Sequence, residues 1–135
     1  MSKKQQAERG TRRGRPKMRS TVEHIEPDIT VIKLFGDLDA AEMSATRELL
    51  LGEVVLPNRA VLVDLSEVPF IDSSGISLLV SANREAETSS GHLALVAPTD
   101  AVREVLELER TAPALRIADD VGDAVLEWTQ EVSTP

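Results

Sequence analysis

The sequence predicts a single α/β domain, built on a mostly parallel sheet of four or five strands with about four helices. Two runs, Ala60 to Leu65 and His92 to Ala97, are almost wholly apolar, as befits strands covered on both faces. Apolar residues elsewhere recur at helical spacing, at Ile76, Leu79, Val80 and Ala86 and again at Val121, Ala124, Val125 and Trp128. The later part of the chain alternates strand with helix, which argues for parallel strands joined by right-handed crossovers. There is no internal repeat and no sign of a second domain, and residues 21–132 are assigned to one folded unit.

Taken in order, Val22 to Ile25 reads as a short edge strand closed by a turn at Glu26-Pro27-Asp28. Ile29 to Phe35 is rich in β-branched residues and ends at Gly36, which gives a second strand. Asp39, with Glu42 three residues on, has capping-box spacing and opens a helix to about Leu51, with Gly52 as its C-cap. After the turn Leu56-Pro57-Asn58-Arg59 comes the apolar strand 60–65. A helix from Ser73/Ser74 to about Thr88 stops at Ser89-Ser90-Gly91, and the next apolar strand follows. Pro98-Thr99-Asp100 caps a helix with Val102, Val105 and Leu106 on one face, broken by Pro113. Leu115 to Ala118 is a short last strand. Asp119/Asp120 open the final helix, in which Trp128 is expected to anchor the core.

Charge divides the chain. Residues 1–20 carry eight basic residues against Glu8 alone, a net +7, while the remainder has seven basic and 22 acidic residues, a net −15. The basic segment lacks apolar periodicity and contains Gly10, Gly14 and Pro16, so residues 1–20 are expected to form a disordered arm. The acidic body should repel nucleic acid and favour a basic protein partner. Within the arm, Arg13-Gly14-Arg15-Pro16-Lys17 resembles the core of an AT-hook, a minor-groove element. A single five-residue hook in so basic a tail binds weakly, and DNA contact is not expected to define the protein.

No apolar run approaches the ~20 residues of a membrane span, and no secretory h-region stands near the N-terminus. A cytoplasmic protein without membrane contact is expected. Without cysteine there is no disulfide, thiolate metal site or thiol switch. His24 and His92 lie far apart with no carboxylates at ligand spacing, so both are expected to face solvent, and neither a metal nor a cofactor is expected.

Enzyme signatures are missing. The turn at Gly75 has neither the G-x-x-x-x-G-K of a P-loop nor G-x-G-x-x-G, and it is not a G-x-S-x-G elbow. The carboxylate pairs Asp37/Asp39 and Asp119/Asp120 each stand beside a helix start, where acids are ordinary dipole partners. The distinctive feature is instead Asp72-Ser73-Ser74-Gly75-Ile76, placed where a strand gives way to a helix. Free N–H groups and the positive end of the helix dipole favour negative charge there. A hydroxyl at that place is either a cap, with Asp72 or Ser73 able to serve, or a seat for a phosphoryl group.

Gly36-Asp37-Leu38-Asp39, then Val63-Asp64-Leu65-Ser66, then Phe70-Ile71-Asp72-Ser73-Ser74-Gly75-Ile76, in this order and spacing, resemble the STAS domain, and more narrowly the bacterial anti-sigma-factor antagonists. The resemblance covers about residues 22–131 and leaves out the basic arm. It implies a STAS-like fold and a regulatory role. An unphosphorylated antagonist of that family binds an anti-sigma factor that is itself a serine kinase, which frees the sigma factor. Phosphorylation of a serine in the Asp-Ser-Ser/Thr-Gly motif ends that binding, and a phosphoserine phosphatase restores it.

Carried onto this chain, the resemblance implies that Ser74 accepts the phosphoryl group, with Ser73 the alternative. Asp37, Asp39, Asp72, Ser73 and Gly75 would meet the partner, Gly75 by letting its backbone come close. Ile76 is expected in the core. Two departures stand out: Ile76-Ser77 where Leu-Gly is frequent, and Ala40-Ala41 in place of a polar pair after Asp39. They bear on the strength of kinase binding more than on the fold. The competing expectation is a constitutive STAS interaction or scaffold module that is never phosphorylated.

Overall fold

The computed structural model describes residues 18–108 and 115–133. The strands are β1 (Arg19–Glu26), β2 (Ile29–Phe35), β3 (Ala60–Glu67), β4 (His92–Val96) and β5 (Arg116–Ala118). The helices are α1 (Met43–Val54), preceded by a 3₁₀ turn at Ala40–Glu42, then α2 (Ser73–Thr88), α3 (Asp100–Leu108) and α4 (Val121–Ser133). They form one five-stranded sheet in the order β1-β2-β3-β4-β5, with β1 antiparallel to β2 and every other pair parallel.

Each parallel strand is added on the same side of its predecessor. Crossovers of one hand then place their helices on one face of the sheet, and the apolar clusters follow that rule. Val61, Val63 and Leu65 of β3 and Leu93 and Leu95 of β4 pack with Leu50, Leu79, Val102 and Leu106 of α1, α2 and α3. The alternate residues Ala60, Leu62, Ala94 and Val96 face the other way and pack with Ala124 and Trp128 of α4. With both faces covered, the apolar runs of β3 and β4 are accounted for.

Several boundaries differ from the sequence reading. Arg19 and Ser20, assigned to the arm on composition, already pair with Phe35 and Leu34 in β1. Residues 1–17, and with them the hook-like segment, lie outside the described residues, as does Pro113. Gly52 does not end α1, which runs on to Val54 and so buries that side chain against the core. Asn58, in the turn that leads to β3, takes the left-handed conformation at φ 56°. Asp39 does cap, accepting the Ala41 N–H at 3.1 Å, but it caps the 3₁₀ turn rather than α1. The side chain of Glu42, its expected capping-box partner, lies outside the described part.

His92 corrects a second expectation. His24 is exposed, with Nδ1 3.0 Å from Thr30 Oγ1, but His92 is only 2% exposed. It occupies a position of β4 that faces α4, where its ring meets Trp128 edge-on at 4.9 Å between centroids. Trp128 is buried as expected, and its Nε1–H donates to Asp28 Oδ2 at 2.7 Å, tying α4 to the β1–β2 turn. No described helix is long and apolar enough to cross a membrane.

Candidate functional site

Parallel α/β sheets present their sites at the carboxyl ends of the strands, and there the quoted motifs converge. Beyond β2 the chain turns at Gly36, whose φ of 115° suits glycine. The Gly36 N–H donates to the Glu67 carbonyl at 3.1 Å and the Leu38 N–H to the Phe70 carbonyl at 2.9 Å. In return the Leu38 carbonyl accepts the Asp72 N–H at 3.3 Å. Leu38 and Ile71 form an isolated parallel bridge, and both side chains are buried. The loop carrying Asp37 and Asp39 is thus zipped to the loop carrying Asp72 and the serines.

The choice between caps is resolved at Asp72. Its backbone is extended, its Oδ1 accepts the Gly75 N–H at 3.1 Å, and its carbonyl accepts the Ile76 N–H at 3.0 Å. Ser73 and Ser74 are therefore the first two residues of α2, with neither hydroxyl taken up as the N-cap. Ser73 is exposed and Ser74 half-buried. Asp37, Asp39 and Asp72 are each half-buried, and Ile76 is in the core.

Gly75 is buried, and the space left by its missing side chain is occupied from within. A Cβ there would stand 2.5 Å from the Leu38 carbonyl oxygen and 2.8 Å from Ile71 Cγ1. The glycine lets the two loops of this chain close on each other.

Two contributors escaped the sequence reading. Phe70 is 48% exposed, an aromatic side chain two residues before Asp72 in the serine loop. The available signal was period two: Ile71 points inward, so its neighbour in an extended segment points out. Thr99 is the other. Its Oγ1 accepts the Val102 N–H at 3.3 Å to cap α3 and donates to the Val68 carbonyl at 3.2 Å, pinning the serine loop from the β4–α3 side.

The remaining acidic pair lies elsewhere. Asp120 caps α4 by accepting the Asp123 N–H at 2.8 Å, and Asp119 lies 3.6 Å from Arg103. Among the described residues, no group of three or more His, Asp and Glu side chains is arranged to hold a metal ion.

This sheet order and these strand-end loops define a STAS domain. Residues 21–124 match the STAS domain family, and the chain belongs to it. It is similar to the anti-sigma F factor antagonist of Lysinibacillus sphaericus, with 27% identity over 97 residues, which is 71% of this chain and 83% of that protein. Among solved structures it resembles an anti-sigma factor antagonist from Mycobacterium paratuberculosis, with a TM-score of 0.73 and 23% identity over 84% of this chain and 95% of that one. It also resembles the Bacillus cell fate determinant SpoIIAA in its phosphorylated form, with a TM-score of 0.62 and 23% identity over 81% of this chain and 98% of that one.

Proposed function

We propose that this protein is an anti-sigma-factor antagonist, a binding protein rather than an enzyme, that acts through the loop pair at the strand ends. In this reading the unphosphorylated form binds an anti-sigma factor that is a serine kinase. That kinase phosphorylates Ser74, with Ser73 the alternative, the complex then dissociates, and a phosphoserine phosphatase resets the switch. The observation that carries the reading is that Asp72 takes the N-cap of α2 and leaves both serine hydroxyls at the helix start outside the capping bonds. The similarity to an anti-sigma F factor antagonist supports the choice of partner.

The physical chemistry agrees. A phosphoryl group adds roughly −1.5 to −2 charge. At an exposed helix N-terminus, one such charge gains roughly 0.3–1 kcal/mol from the dipole, so the fold tolerates it. Buried in an interface beside Asp72, and near Asp37 and Asp39, the same charge meets desolvation and like-charge repulsion. A loss of roughly 3–4 kcal/mol would weaken a complex several-hundred-fold. In this account Asp37, Asp39, Asp72, Ser73 and the exposed face of Phe70 meet the partner, while Gly75 serves the contact by holding the loops in register.

The test is binding of a serine-kinase anti-sigma factor from the source organism to the wild-type chain and to Ser74→Asp, read by calorimetry. The proposal expects tight binding of the wild type and at least a hundredfold loss for the variant. Equal affinity for both, with the fold intact, would favour a constitutive STAS module.

A further inference from the structure

Away from the strand-end site, the opposite end of the sheet holds a buried histidine that the proposed switch does not use. His92 opens β4 and faces α4. Its Nδ1 lies 3.2 Å from Glu131 Oε1, and its ring stands at 82° to that of Trp128. Arg116 of β5 reaches the other oxygen of Glu131 through Nε at 3.5 Å, and Glu87 of α2 through Nη1 at 3.7 Å. Glu127 adds a further negative charge from α4. Asp28 holds the Trp128 indole, and the Arg59 carbonyl accepts the His92 N–H at 3.2 Å while the Arg59 guanidinium is bonded to Thr30. The later turns of α4 are thus fastened to the sheet at Asp28, His92 and Arg116.

We propose that His92 is a proton-operated latch for α4, which holds the helix on the second face of the sheet while the imidazole is neutral and loosens it when the ring becomes a cation. An ionised carboxylate only accepts hydrogen bonds, so the contact with Glu131 needs a proton on Nδ1, and the neutral ring supplies it in one tautomer. A second proton places a positive charge in a buried site next to the Arg116 guanidinium. Glu131 and Glu127 oppose that penalty without cancelling it. Burial is the main cause that holds the ring's pKa below 6.5, and Arg116 is the second.

A histidine whose pKa is lowered by folding leaves stability unaffected well above 6.5. It withdraws stability as the pH falls through 6.5 towards the folded-state value, by about tenfold in the closing equilibrium for each unit of lowering. Opening α4 would uncover Val31, Leu62, Ala94 and Val96.

The test is hydrogen exchange on the full chain between about pH 7.5 and about pH 5, with α4 amides compared against α2 amides and corrected for intrinsic exchange. In the wild type, α4 protection should fall relative to α2 as the pH drops. In His92→Gln, which cannot ionise, the ratio should stay flat. A flat wild type, or parallel loss in both proteins, would overturn the latch. Should His92→Gln not fold, the ring is titrated directly by proton NMR. A midpoint below 6.5 in the wild type, and lower still in Glu131→Gln, supports the proposal, and one at or above 6.5 overturns it.

Discussion

Leu38 and Ile71 pair as an isolated parallel bridge beyond the ends of β2 and β3, at the centre of the contacts that join the acidic loop to the serine loop. The two motifs are separated by some thirty residues of sequence, including all of α1. What unites them is a buried pair of aliphatic side chains with backbone hydrogen bonds on either side. The placement of the candidate acceptor serine therefore rests on core packing as much as on loop chemistry.

Gly75→Ala should destabilise the domain by about 1–3 kcal/mol, because the new Cβ meets the Leu38 carbonyl, a backbone atom with little room to retreat. Chemical denaturation measures the loss. Faster exchange of the Asp72 amide, whose acceptor is that carbonyl, would locate it.

Leu38→Ala removes a side chain that is wholly buried, and should cost about 2–5 kcal/mol. Partner binding should weaken in the variant even at temperatures where it remains folded, since Asp37 and Asp39 lose their fixed position. A denaturation midpoint and a binding isotherm on the same sample separate the two effects.

Asp72→Ala should cost about 1 kcal/mol through loss of the cap on α2, and Asp72→Asn should recover most of it, because the amide oxygen can accept the Gly75 N–H. Because the carboxylate meets the partner in the proposed function, Asp72→Asn should keep stability and lose affinity. Thermal melts together with titration calorimetry distinguish these outcomes.

Trp128→Phe keeps an aromatic ring against His92 and deletes the indole N–H that bonds Asp28. The expected loss is about 1–2 kcal/mol, measured by urea denaturation, with the greater fraying in the later turns of α4.

Much of this architecture was legible in the sequence, because uniform apolar runs and helical spacing are direct consequences of burial on two faces or on one. The strand-to-helix turn at Asp72 could be read from residue chemistry alone, although which side chain caps required geometry. Gly52 misled because glycine after a run of helical spacing is the usual C-cap, whereas here a side chain at that position would meet only open space and the burial of Val54 carries the helix past it. His92 misled because histidine is commonly a surface residue. Its burial depends on Trp128, Glu131 and Arg116, and no local pattern links those positions to β4. The role of Gly75 was hidden for the same reason, since the atom that excludes a side chain belongs to Leu38, far earlier in the chain.

The most direct measurement is intact mass with phosphopeptide mapping, after the protein is incubated with ATP and the serine-kinase anti-sigma factors of its source. The account predicts one adduct of about 80 Da, the mass of a phosphoryl group, on Ser74, absent from Ser74→Ala. A kinase that binds the protein stably yet leaves both Ser73 and Ser74 unmodified would contradict it.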